Sequence, residues 1–99
     1  MTINKTQENG KIIFALEGSL DTATSPQLQN VLLPAFDEAK QIELDFSQLL
    51  YISSAGLRIL LLGQKAAESK GASMRLRGVS DEIKNILSIT GLYTILTIV

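Results

Sequence analysis

Apolar residues along this chain follow two rhythms, one of period two and one near 3.6, and the two alternate from end to end. Residues 11–18 (Lys-Ile-Ile-Phe-Ala-Leu-Glu-Gly) form a short apolar run closed by Gly18, the pattern of a central strand buried on both faces. Residues 41–46 alternate strictly, with Ile42, Leu44 and Phe46 on one side and Glu43 and Asp45 on the other. Residues 72–77 repeat the pattern, with Met74 and Leu76 opposed to Ser73, Arg75 and Arg77. Each of these two strands has one packed face and one wet face.

Helical spacing fills the intervals. Ser25-Pro26 places an N-cap before a proline suited to the first helical position, and Leu28, Val31, Leu32, Ala35, Phe36 and Ala39 then recur on one side. Pro34 withholds a donor from the carbonyl of Asn30, which predicts a kink or two short helices joined there. Ser54 to Ser69 forms a second helix with a wide apolar arc, Leu57, Ile59, Leu60, Leu61 and Leu62. A third starts at Ser80 as N-cap, with Asp81 and Glu82 in the first turn, buries Ile83, Ile86 and Leu87, and stops at Gly91. A strand from Tyr93 to Val99 closes the chain.

The order is strand, strand, helix, strand, helix, strand, helix, strand, without repeat or linker. It predicts an α/β fold: one domain over residues 1–99, with a mixed, mostly parallel sheet. An antiparallel N-terminal edge strand turns at Asn9-Gly10, and the helices pack mainly on one face. If residues 41–46 and 72–77 are parallel neighbours, Glu43, Asp45, Arg75 and Arg77 share the uncovered face.

Composition narrows the function. Nine basic against ten acidic residues give a net charge of −1, with no block of one sign, so neither nucleic acid nor an acidic membrane is an expected partner. Arg75-Leu76-Arg77 is a strand alternation without an aromatic stacking pattern, and reads as sheet surface. The chain has no Cys and no His, which removes thiolate nucleophiles, imidazole triads and the usual zinc ligands. It also lacks a Gly-x-x-x-x-Gly-Lys loop. The expectation is a protein that is not an enzyme and holds no metal or cofactor. The first residues lack the apolar stretch of a signal peptide and no window is apolar enough to insert in a membrane, so a cytoplasmic location is expected. Nothing in the pattern calls for an obligate oligomer.

Chemistry concentrates where Leu49-Leu50-Tyr51-Ile52 gives way through Ser53-Ser54-Ala55-Gly56 to the second helix. A serine there serves as an N-cap, or stands where open N–H groups and the positive helix end favour a phosphate. Local sequence leaves both roles open.

Tyr51-Ile52-Ser53-Ser54-Ala55-Gly56-Leu57-Arg58-Ile59-Leu60 resembles the signature of STAS domains. Gly18-Ser19-Leu20-Asp21 is similar to the family's Gly-x-Leu-Asp, and Asp45-Phe46-Ser47 to its Asp-aliphatic-Ser stretch. The resemblance covers about residues 10 to 98 and points to the anti-sigma-factor-antagonist class. Such proteins bind an anti-sigma factor Ser/Thr kinase when unphosphorylated, are released on phosphorylation and are reset by a Ser/Thr phosphatase, a partner switch that regulates transcription. Carried over, the resemblance makes Ser54 the phosphoacceptor and Asp21, Thr22, Ser53, Gly56 and Arg58 the partner-binding surroundings. Phosphorylated members commonly carry Asp immediately before the acceptor, where this chain has Ser53. The same family also supplies non-phosphorylated accessory subunits to membrane transport ATPase complexes, and that is the alternative function.

Overall fold

The computed structural model describes residues 1–99. Two positive-φ residues in succession, Asn9 (φ 50°) and Gly10 (φ 75°), make the tight turn that pairs β1 (Thr2–Glu8) antiparallel with β2 (Lys11–Leu20). The chain then runs α1 (Ser25–Ala35), β3 (Gln41–Ile52), α2 (Ser54–Ser69), β4 (Ser73–Arg77), α3 (Asp81–Ile89), a 3-10 turn (Leu92–Thr94) and β5 (Thr97–Ile98). Strands lie in the order β1-β2-β3-β4-β5, and every pair after the first is parallel. Each crossover from β2 onward therefore steps one strand in the same direction. Right-handed crossovers that never reverse put all three helices on one side of the sheet, as the sequence predicts.

Register carries this asymmetry into the side chains. Ile12, Ile42 and Met74 align across three strands, as do Phe14, Leu44 and Leu76, and all six are 2% exposed or less. They floor one core of 24 buried apolar residues, completed by Leu28, Leu32 and Phe36 near α1, Ile59 and Leu60 of α2, and Ile83 and Leu87 of α3. At ~1.5–3 kcal/mol for each fully buried large aliphatic side chain, this layer is the main favourable term of the fold. No helix is long and apolar enough to cross a membrane.

Several local expectations are corrected. β2 is not buried on both faces: Ile13 and Ala15 are only half-buried, because they align with Glu43 and Asp45 on the side that no helix covers. Pro34 does not split α1 into two helices. The helix ends one residue later, and tight turns with Phe36 N–H on Leu33 O and Asp37 N–H on Pro34 O carry the chain to Ala39. Ser25 is the first residue of α1, with Thr24 at the cap position, and its hydroxyl donates to the Asp21 carbonyl instead of capping. The closing segment is a strand only at Thr97–Ile98, since Ile95 and Leu96 both direct their N–H groups to Leu92 O and keep the preceding residues coiled. Ser80, by contrast, caps α3 as expected, its Oγ accepting from Ile83 N–H at 3.2 Å.

Glu43, Asp45, Arg75 and Arg77 do share the uncovered face, with Glu43 opposite Arg75 and Asp45 opposite Arg77. Glu43, however, is 3% exposed, not wet. Lys11 Nζ stands 3.4 Å from its Oε1 and Arg77 Nη1 3.2 Å from its Oε2, the latter in ionic contact without hydrogen-bond alignment. Arg77 also reaches Asp45 Oδ2 at 3.4 Å, so a single guanidinium joins both acids, while Arg75 stays exposed and unpaired.

Candidate functional site

The site forms where β2 and β3 both end and α1 and α2 both begin. Leu20 pairs with Ile52 at the strand ends, and Ser53 N–H donates to Leu20 O at 2.9 Å, so the entrance of α2 is fastened beside Asp21. Gly56 permits this closeness. A Cβ there would lie 2.8 Å from Leu20 O, from Leu20 Cγ and from Ile52 Cγ1, distances that no side chain tolerates without movement. Gly56 is itself buried, and enters the site through the approach it allows.

Asp21 organises the β2–α1 loop. Its Oδ1 accepts from Ala23 N–H at 3.0 Å and Thr24 N–H at 3.1 Å, an Asx-type turn. The Thr24 hydroxyl accepts from Asp21 N–H at 2.9 Å and lies 2.7 Å from Ser19 O and 3.1 Å from Asp21 Oδ1. The Thr24 N–H holds the Asp21 carboxyl below the usual carboxylate range, with the Thr24 hydroxyl and Ala23 N–H adding to it against partial desolvation. Asp21 is thus an anion fixed in place, and the residue after it, Thr22, is exposed.

Two adjacent serines open α2 in different ways. Ser53 holds the N-cap position (φ −100°, ψ 176°) but makes no capping bond, and its Oγ is buried without a partner. Ser54 is the first helical residue, exposed, so of the two roles left open for a serine here it does not take the cap, which falls one residue earlier. The first-turn N–H groups have no side-chain acceptor, and no acidic residue sits in that turn. An exposed hydroxyl thus stands at a helix end able to stabilise negative charge.

Between the two helix starts runs a groove of about 250 Å³, lined on the α1 side by Thr22, Ser25, Pro26 and Gln29 and on the α2 side by Ala55 and Arg58 above Ile59 and Leu62. Arg58 is exposed. Of the candidate residues, Asp21, Thr22, Ser53, Ser54 and Arg58 come together at this end of the sheet. Sequence reasoning missed Thr24, whose hydroxyl ties the loop, and the exposed apolar pair Leu50 and Tyr51, 79% and 54% accessible just before the serines. Leu50 is skipped between Leu49, paired with Gly18, and Tyr51, paired with Ser19, and only the register reveals that irregularity.

A family model described as "Mlab, STAS domain" matches residues 3–97. The chain belongs to the STAS domain family. It is of the anti-sigma-factor-antagonist type. An anti-sigma-B factor antagonist of Bacillus subtilis is 24% identical over 98 residues, covering 99% of this chain and 90% of that one. One of Staphylococcus aureus is 34% identical over 76 residues, covering 76% and 70%. Among solved structures, the unphosphorylated anti-sigma factor antagonist SpoIIAA superposes with a TM-score of 0.80 at 15% identity, covering 99% of this chain and 87% of that one. The same protein is also known in a phosphorylated form, with a TM-score of 0.79. A sulfate transporter family protein of Wolinella succinogenes gives 0.80 at 25% identity, covering 93% and 75%. The same fold thus appears both in an anti-sigma factor antagonist and in a sulfate transporter family protein.

Proposed function

We propose that this STAS domain is a cytoplasmic, non-enzymatic binding switch that holds an anti-sigma factor kinase until Ser54 is phosphorylated. The observation that carries the proposal is the contrast between the exposed hydroxyl of Ser54 and the enclosed one of Ser53 at the fastened entrance of α2. In the transfer, Ser54 Oγ attacks the γ-phosphorus of the kinase's ATP, the new O–P bond replaces the bond to ADP, and the hydroxyl proton passes to the kinase. A Ser/Thr phosphatase reverses the state by hydrolysis.

The switch is local electrostatics. Phosphorylation adds roughly −1.5 to −2 charges beside an ionised Asp21, on a surface that must be desolvated when the partner docks. The helix end offsets only about 0.3–1 kcal/mol at an exposed position, so the free domain accepts the group without refolding while the complex does not. The fold neighbour SpoIIAA has a phosphorylated form, which supports the view that this scaffold tolerates the modification. Isothermal calorimetry with the cognate kinase tests the proposal. Ser54→Asp weakens binding at least about tenfold, or ~1.4 kcal/mol, while Ser54→Ala retains it. Equal affinities for wild type and a folded Ser54→Asp variant refute the switch.

A second reading is an accessory subunit of a membrane transport ATPase complex with no phosphate cycle; what supports it is only that the same fold occurs in a sulfate transporter family protein. Co-purification with a transport ATPase, together with an unchanged intact mass after co-expression with neighbouring kinases, selects that reading.

A further inference from the structure

Arg58 is a cation without an assigned counter-charge. It makes no salt bridge, and of the cations that make none, Lys65 and Arg75 among them, it is the one that lines the groove between the helix starts. Its surroundings supply no acid either. α1, which packs against α2, contains no charged residue, and the next charges along α2 are Lys65 and Glu68, two turns or more away. The one acid on the adjoining loop, Asp21, spends Oδ1 on its own turn and lies outside salt-bridge distance of Arg58. Arg58 lines the groove shared by Thr22 and Ala55.

Helix geometry decides where this cation reaches. Arg58 is four residues after Ser54 in a regular α-helix, so the two share a face with Cβ atoms about 5–6 Å apart. A helical side chain leans toward the N-terminus and covers the turn before its own Cα. From this position the Arg58 guanidinium can reach back to Ser54, and it makes no side-chain hydrogen bond or salt bridge that would hold it elsewhere.

We infer that Arg58 is the internal counter-charge of phosphorylated Ser54, closing on the phosphate from the next helical turn and withdrawing from the groove as it does so. This rests on Ser54 being the modified residue and adds a second component to the switch. In the unmodified domain the groove presents a free positive charge to its partner. In the modified domain that charge is taken up by the phosphate, so one covalent event adds negative charge and hides positive charge. A guanidinium suits the task because its planar fork meets two phosphate oxygens at once, which an ammonium does not.

The test inserts phosphoserine at position 54 during translation, so it needs no kinase and its outcome is separable from the question of which enzyme modifies the site. Phosphorus NMR then follows the second phosphate ionisation in the full chain with Arg58 and in the Arg58→Gln and Arg58→Lys variants. The expected midpoint with Arg58 is lower than in Arg58→Gln by at least about 0.3 pH units, with Arg58→Lys between them. The Arg58 Nε–H resonance of the otherwise unaltered chain is expected to move downfield in the phosphoserine form alone. A midpoint difference below about 0.3 units, or an Nε–H resonance that does not respond, overturns the inference even if a kinase modifies Ser54. Conversely, a kinase that ignores Ser54 leaves the titration result standing.

Discussion

The hydroxyls of Ser53 and Ser54 are one residue apart and in opposite environments: Ser53 Oγ is enclosed with no hydrogen-bond partner, while Ser54 faces solvent at the first position of α2. A kinase must bring its nucleotide into line with the acceptor oxygen, which Ser54 permits at once. Ser53 would first have to leave its enclosure beneath the strand ends, where its own N–H is held by Leu20 O.

Phosphopeptide mapping with the cognate kinase is therefore expected to find a single modification on Ser54. Ser54→Ala is expected to abolish incorporation without shifting it to Ser53 or Thr22. Modification confined to Ser53 contradicts the assignment.

Cap geometry separates two serines that look alike in sequence. Ser80 accepts a bond from Ile83 N–H, so Ser80→Ala removes a real cap and is expected to cost ~0.5–2 kcal/mol. Ser54 caps nothing, so Ser54→Ala is expected to stay within about 0.5 kcal/mol of wild type. Urea midpoints of the two variants decide this, and a Ser54→Ala loss equal to that of Ser80→Ala contradicts the geometry.

The legible parts of the fold were those where one periodicity governs one element. Residues 41–46 and 72–77 alternate cleanly, and the sides that meet the helices and the face that the four charges share are as the alternation predicts. α2 begins and ends as its apolar arc predicts. What escaped depended on several strands at once. Ile13 and Ala15 look like core in a one-dimensional pattern, yet occupy the open face because the register places them beside Glu43 and Asp45. Glu43 looks wet, yet is enclosed between Lys11 and Arg77, whose reach across neighbouring strands no spacing rule reveals. At the candidate site, the motif pointed to Asp21 and Ser54, which the fold brings to the same end of the sheet, but local spacing could not distinguish the cap from the first helical residue.

Acid stability follows from Asp21 and Asp45, both held below the usual carboxylate range in the fold. For Asp45 the largest cause is the Ser47 N–H, opposed by partial burial and reinforced by the Ser47 hydroxyl and by Arg77. A depressed folded value means that the contribution is present above the unfolded value, about 4, and is lost as pH falls through the folded one. Asp45→Asn keeps an oxygen for Ser47 N–H but cannot ionise. Its destabilisation relative to wild type is expected to be full at pH 7 and to shrink between about pH 5 and pH 2. Denaturant titrations across that range measure it, and a constant difference excludes linkage through Asp45.

Gly56 and Gly63 provide the last prediction, because both are tightly enclosed in α2 but by different kinds of neighbour. A Cβ on Gly63 would stand 2.9 Å from Leu32 Cδ2 and from Met74 Sδ, the ends of side chains that can turn aside. A Cβ on Gly56 would stand 2.8 Å from Leu20 O, a backbone atom already fixed by its bond from Ser53 N–H. Relief at Gly56 therefore requires α2 to move off the end of β2, breaking the bond that fastens the site. Gly56→Ala is expected to cost ~1–3 kcal/mol, in the range of core overpacking, and Gly63→Ala less, since gained helix propensity of up to about 1 kcal/mol works against its milder clash. In folded Gly56→Ala protein, amide exchange at Ser53 is expected to accelerate relative to wild type, whereas in Gly63→Ala it is expected to be unchanged. Equal stability losses with no change at the Ser53 amide mean that the contact with Leu20 O does not hold α2 in place.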